Sequence, residues 1–310
     1  MTNTKASSIK LCTCFLFFFS CIISFSQTLY LDKVSKVSKR TYRYQKTRGL
    51  KKLKLDFYKP KKVKGALPLL VYVHGGGFAG GKRNDKNTVY FAKNMASRGY
   101  AVAAISYRLT MKNLGFGCAT KAADKVTAFN EASKDISAAV SYLLEKSQKL
   151  KINTNKIVLI GTSAGAEAIL NLVYVYRDKI LPKDFKFAGL ISMAGAVTSL
   201  ENITKETAIP TQLFHGTEDQ LVPYNSAPHH YCKTTDAGYL QLYGSRAIAD
   251  KLKKLSASYY LYTIEKGDHS WSGKPMFQCT EEMLDFLYFD VLYRNHRMIE
   301  KTLEIEKEPR

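Results

Sequence analysis

Cysteine, tryptophan and acidic residues are all in short supply. Six cysteines are present, and none stands in a CxxC pair or at a Cys/His spacing, so no zinc or redox motif is available. Cys12, Cys14 and Cys21 fall within the first 26 residues. The remainder, Cys118, Cys232 and Cys279, allows at most one internal disulfide. The longest apolar run, Leu11 to Ile23, falls short of the roughly 20 residues that a membrane-spanning helix needs. Trp271 is the single tryptophan, and no internal repeat is found. Asp and Glu total 26 against 47 Lys and Arg, a formal net charge of +21. Such an excess favours polyanions. The lysines, however, are scattered among strand-like residues, with no nucleic-acid motif beside them. They read as a basic, solvated face.

The apolar run has a telling context. Lys5 and Lys10 precede it, and Ser24-Phe25-Ser26 follows with small residues. This is the layout of a secretory signal peptide cleaved before Gln27. A lipid anchor at Cys21 and an uncleaved anchor are the alternatives. The expectation is an exported protein, periplasmic or secreted, with residues 1–26 as leader. Residues 27–310 then form a single domain with insertions near 110–130 and 223–243. An exported chain is free to form a disulfide.

Strand-like and helix-like stretches alternate along that domain. Leu53–Pro60 alternates apolar and charged residues and predicts a half-exposed strand. Leu67–His74, Tyr100–Leu109 and Ile157–Gly161 are nearly continuous apolar runs, the mark of strands buried on both faces. Phe187–Met193, Thr211–His215 and Tyr259–Ile264 predict further strands. Helices are expected over 86–98, 131–149, 164–177, 239–255 and 280–293, with 114–130 a loop and the last dozen residues frayed. This order implies an α/β fold: a mostly parallel central sheet covered by helices on both faces. Such sheets bind ligands beyond the carboxyl ends of their strands, so chemistry is expected in the residues just after each strand.

Gly161-Thr162-Ser163-Ala164-Gly165 follows a strand and opens a helix. A GxSxG in that setting makes a tight turn that lifts the serine hydroxyl clear of the sheet. A nucleophilic serine needs a base. His269 lies a few residues beyond the last strand, while His296 is in the charged tail. His229 and His230 sit in a loop read as surface, and His215 is read as a loop brace. The base needs an acid to orient it. Asp219 follows the strand ending at His215, with Glu218 as the less favoured neighbour and Asp268 read as loop structure. The order is Ser163, Asp219, His269.

His74-Gly75-Gly76-Gly77-Phe78 closes an earlier strand. Arg83 stands where a P-loop needs Ser or Thr, and the next strand ends without the acid of a dinucleotide site. Glycines suit a third use, in which backbone N–H groups approach an oxyanion with no side chain between. Gly76 and Gly77, with Ala164, are the expected donors.

These residues, together with Tyr107-Arg108-Leu109 and Gly216-Thr217-Glu218-Asp219, resemble the α/β-hydrolase superfamily. Within it they are most similar to the HGGG carboxylesterases related to hormone-sensitive lipase and, less specifically, to bacterial acetyl-xylan and feruloyl esterases. Thr110-Met111-Lys112 and Thr162 depart from that pattern. The resemblance implies hydrolysis of carboxylic esters through an acyl-enzyme, on a small-molecule or polysaccharide ester, with no metal and no organic cofactor. A serine peptidase, a polyester hydrolase and a non-catalytic binding module are the alternatives. Phe78 and the two insertions are expected to wall the pocket. Tyr224, Tyr231 and Tyr239 either stack on substrate or pack their loop.

Overall fold

The computed structural model describes residues 28–45, 52–176 and 180–304; the expected leader lies outside them. In chain order come β1 (Val37–Gln45), β2 (Leu53–Pro60), β3 (Leu67–Val73), α1 (Lys86–Ser97), β4 (Ala101–Ile105), α2 (Ala122–Glu145) and the short α3 (Ser147–Leu150). Next are β5 (Ile152–Thr162), α4 (Ala164–Tyr174), β6 (Gly189–Met193), β7 (Thr211–Gly216), β8 (Ser226–Pro228), β9 (Gln241–Tyr243) and α5 (Ser245–Lys254). The chain closes with β10 (Tyr259–Glu265), α6 (Pro275–Gln278), α7 (Thr280–Asp285), a wide π turn over Phe286–Leu292, and β11 (Met298–Glu304).

Among the described residues, nine strands form one sheet in the order β1-β2-β4-β3-β5-β6-β7-β10-β11. The β1–β2 and β2–β4 pairs are antiparallel, and every other pair is parallel. The period of two in β3 shows why its run is apolar throughout. Leu67, Leu69, Val71 and Val73 face one core with α2, α4 and α5. Leu70 and Tyr72 face a second core with α1 and α7. Among the described residues no helix is long and apolar enough to cross a membrane.

Several boundaries differ from the expectations above. β2 is buried, not half exposed, because β1 covers its outer edge. Its Asp56 is charge-paired to Lys39 at 3.0 Å and Arg83 at 3.3 Å, and accepts from Thr41 Oγ1 at 2.6 Å. α2 begins at Ala122, nine residues before the expected start at Glu131, so much of the expected 110–130 insertion is helix. Ala128, Phe129 and Ala132 carry its apolar face back into the core, and buried Lys125 donates from Nζ to Gly238 O at 2.8 Å. α5 starts only at Ser245, because Gln241–Tyr243 pairs with β8 as a strand. The charged tail does not fray over its first part. β11 joins the sheet edge with Ile299 and Leu303 on the core side, and Glu300 accepts from Tyr259 Oη at 2.6 Å.

The α1 face depends on Phe91, which is wholly buried, its ring 5.5 Å from that of Tyr72. Phe91→Ala is expected to cost about 3–5 kcal/mol, read from the shift of a urea unfolding midpoint.

Candidate active site

The parallel strands end on one side, and the loops that follow them converge there. Ser163 bridges β5 and α4 with φ 49° and ψ −124°, a backbone state that a side chain rarely adopts. Three contacts hold it. Its N–H donates to Met193 O at 2.8 Å, and its carbonyl accepts from Glu167 N at 2.9 Å. The helix also crosses close to β3: a Cβ at Gly165 would lie 2.2 Å from Val73 O, so only glycine fits there.

Ser163, Asp219 and His269 meet. Ser163 Oγ lies 2.8 Å from His269 Nε2, and His269 Nδ1 lies 2.7 Å from Asp219 Oδ2. Asp219 is fully buried. Its Oδ1 accepts from Leu221 N at 2.9 Å and Val222 N at 3.0 Å. Burial opposes its ionisation, but the imidazoles of His215 and His269 outweigh that and hold its carboxyl well below the usual carboxylate range. His215 does more than brace a loop. It bonds Ser245 Oγ at 2.9 Å and Val222 O at 3.1 Å, and its Nε2 stands 3.3 Å from Asp219 Oδ2. Glu218 is exposed, and Asp268 accepts from Ser270 N at 3.0 Å within its own turn. His296 is exposed and bonds Ser256 O at 2.7 Å.

The glycine loop abuts the serine, since a Cβ at Gly75 would lie 3.2 Å from Ser163 Cβ. Gly76 and Gly77 run at φ 118° and 58° and line the same cavity. Ala164 opens α4 directly after the serine. The flanking histidine is structural: His74 Nδ1 bonds Gly75 O at 2.9 Å, and its ring stacks on Tyr107 at 4.6 Å. Tyr107 donates from its hydroxyl to His74 O at 2.8 Å. Burial lowers the pKa of His74, which keeps it a neutral brace.

The cavity over Ser163 measures about 480 Å³. Its wall differs from the expected one. Phe78 is wholly buried and packs behind Phe116 at 5.1 Å, and Phe116 is the ring that faces the cavity. Tyr224, Tyr231 and Tyr239 are absent from the wall; Tyr224 instead bonds Thr263 Oγ1 at 2.6 Å from β10. Trp271 is buried outside the wall, against Gly267. His229 and His230, expected on the surface, line the cavity, and His229 is buried. The reason is covalent. Cys118 and Cys232 form a disulfide, with Cys279 free and buried. The bond draws the segment that bears the two histidines against the one that bears Phe116. Among the described residues the one cluster of possible metal ligands is Cys118, Cys232 and Asp236, and both sulfurs belong to the disulfide.

Glu167 was not among the residues expected at the site. It sits one helical turn past Ser163, in a GxSxGxE pattern that would have marked it as a neighbour of the serine. It is buried in the cavity wall. Burial, then the nearby Asp219 charge, pushes its carboxyl up to about 8, against a smaller opposing pull from Lys125.

Known proteins share this fold. Thermophilic esterase Est2 of Thermogutta terrifontis superposes with a TM-score of 0.59 at 21% identity, covering 82% of this chain and 92% of that one. Brefeldin A esterase, a bacterial homologue of human hormone-sensitive lipase, superposes at 0.57 and 15% identity, covering 86% and 80%. The chain has the α/β-hydrolase fold. A family model described as BD-FAE matches residues 55–188, a stretch that holds the glycine loop and Ser163. Gut esterase 1 of Caenorhabditis elegans is 30% identical over 173 residues, 51% of this chain and 28% of the relative. Fumonisin B1 esterase of Sphingopyxis macrogoltabida is 31% identical over 121 residues, 38% and 22%. The chain thus matches less than a third of the length of these curated relatives.

Two outcomes test the site's construction. The disulfide closes a sequence separation of 114 residues, so the double variant Cys118→Ala/Cys232→Ala is expected to lose on the order of 4–5 kcal/mol of stability in chemical denaturation. Glu167 gives a pH signature. Its folded pKa lies above its unfolded one, so the native state holds more protons and stability falls as pH rises from about 4.5 to about 8. Glu167→Gln removes that slope. The Tm of the variant minus that of the wild type is expected to be near its minimum at pH 4.5 and to grow toward pH 8.

Proposed function

We propose that the protein is a serine esterase that cleaves carboxylic esters through an acyl-enzyme. The observation that carries this proposal is the unbroken line from Ser163 Oγ through His269 to the buried Asp219 carboxylate, with contacts of 2.8 and 2.7 Å. In it His269 takes the proton from Ser163 as the hydroxyl attacks the ester carbonyl. The imidazolium that forms is stabilised by Asp219, which stays ionised and holds the ring in one tautomer. The tetrahedral oxygen takes up its charge against the N–H groups of Gly76, Gly77 and Ala164. His269 then protonates the departing alcohol. Water, deprotonated by the same ring, attacks the acyl carbonyl and frees Ser163.

The volume over the serine suits short or medium acyl groups, and acetyl or feruloyl esters on polysaccharide belong to the same proposal. That the named relatives and structural neighbours are esterases supports ester over amide cleavage. We also propose that the enzyme is exported, with residues 1–26 as leader. The Cys118–Cys232 bond supports this, because disulfides persist in oxidising compartments.

The test is hydrolysis of p-nitrophenyl esters from acetate to decanoate, alongside acetylated xylan. Turnover is expected on the shorter esters, with kcat falling by at least about 10⁴-fold in Ser163→Ala. A folded wild-type protein inert toward the whole series would overturn the proposal. Equal rates on xylan and on simple esters would favour polysaccharide as the natural target.

A further inference from the structure

Two polar side chains beside Ser163 have no part in the mechanism above. Glu167 projects from the first turns of α4, and His229 comes from the segment after β8. Both line the cavity, and they are only 2% and 1% exposed. Glu167 Oε1 and His229 Nδ1 are buried without a hydrogen-bond partner. The two groups do not satisfy each other well, because Oε1 stands 3.6 Å from His229 Nε2. Nor does the adjacent cation serve them, since Lys125 Nζ donates to Gly238 O at 2.8 Å. Buried polar atoms are costly to leave unpaired, and here both belong to residues that line the cavity over Ser163.

Their surroundings mix rings and charge. The rings of Phe116 and His230 lie 5.0 and 4.3 Å from that of His229, both at steep angles, and Leu221 and Val222 also line the cavity. His229 is also held from behind. His230 and Tyr231 both take left-handed φ, 57° and 52°, just before the disulfide at Cys232. We infer that Glu167 and His229 form a polar subsite that binds an uncharged hydroxyl of the substrate, so that the enzyme selects hydroxylated esters over their deoxy counterparts. A hydroxyl donates one hydrogen bond and accepts another, which is what a carboxyl group and an imidazole together offer. Burial supports this by pushing the Glu167 carboxyl up to about 8 and the His229 ring down to about 2, which leaves both groups neutral near pH 7. A substrate carboxylate would instead meet the repulsion from Asp219 that already acts on Glu167.

The inference rests on the esterase proposal, and its test separates the two. The ratio of kcat/KM is measured for p-nitrophenyl 3-hydroxybutyrate against p-nitrophenyl butyrate, which varies the acyl side. It is measured again for the butyrate monoester of 1,3-propanediol against propyl butyrate, which varies the alcohol side. The wild type is expected to favour the hydroxylated member of one pair by about tenfold or more. Glu167→Gln, which keeps a donor and an acceptor in the same shape, is expected to retain most of that preference. Glu167→Leu is expected to bring the ratio within twofold of one, whatever its absolute rate. Wild-type ratios near one in both pairs would overturn the subsite and leave the esterase proposal standing, and this outcome needs no folded leucine variant. An unchanged ratio in folded Glu167→Leu would overturn it too. No turnover of any of the four esters would overturn both.

Discussion

The turn at Ser163 places a non-glycine residue at φ 49° and ψ −124° between a buried strand and a buried helix, and most of the site is arranged around that constraint. A backbone in this state costs on the order of 1–3 kcal/mol, which the surrounding structure must offset. Here it does so with backbone hydrogen bonds on both sides and a helix pressed so close to β3 that Gly165 has no room for a side chain. The consequence reaches beyond the hydroxyl. The same turn sets Ala164 at the start of α4 and Glu167 one turn later. The proposed nucleophile, a proposed oxyanion donor and a wall residue thus share one rigid frame.

Two buried carboxyl groups near that frame are driven to opposite protonation states. Asp219 has two imidazoles and two backbone N–H groups around it, and stays ionised despite burial. Glu167 has a bare Oε1 and feels the charge of Asp219, so burial wins and the proton stays. The contrast comes from hydrogen-bond supply and not from depth, since both are almost fully buried. Ionised Asp219 can steady a positive His269, while neutral Glu167 spares the pocket a second negative charge.

The wall of the pocket is assembled by a different device. Phe116 and the two histidines belong to segments more than a hundred residues apart, and the Cys118–Cys232 bond holds those segments together. Next to Phe116, His74 and Tyr107 fasten the glycine loop through a stacked pair and a hydrogen bond. Each wall is thus tied down by groups that themselves carry no chemistry, which is how loop residues are kept within reach of a rigid serine.

The amino-acid sequence by itself determined the parallel sheet and the three residues that meet above it. Runs such as Leu67–Val73 are apolar on both faces only when helices cover both, and GxSxG after a strand leaves the chain little choice of turn. Those signals are local, written within a few residues of one another. What tertiary structure decided was non-local. Leu53–Pro60 alternates like a half-exposed strand but is buried, because β1 covers its edge and Asp56 finds Lys39 and Arg83 there. Met298–Glu304 looks like a charged tail but completes the sheet, because Ile299 and Leu303 face the core and Glu300 meets Tyr259 and Arg246. His229 reads as a surface residue in a polar loop, but the pairing of Cys118 with Cys232 and the backbone bonds of His229 N to Leu240 O and His230 N to Leu221 O hold it inside. Burial and pairing depend on what the rest of the chain brings alongside, and no window of neighbouring residues contains that information.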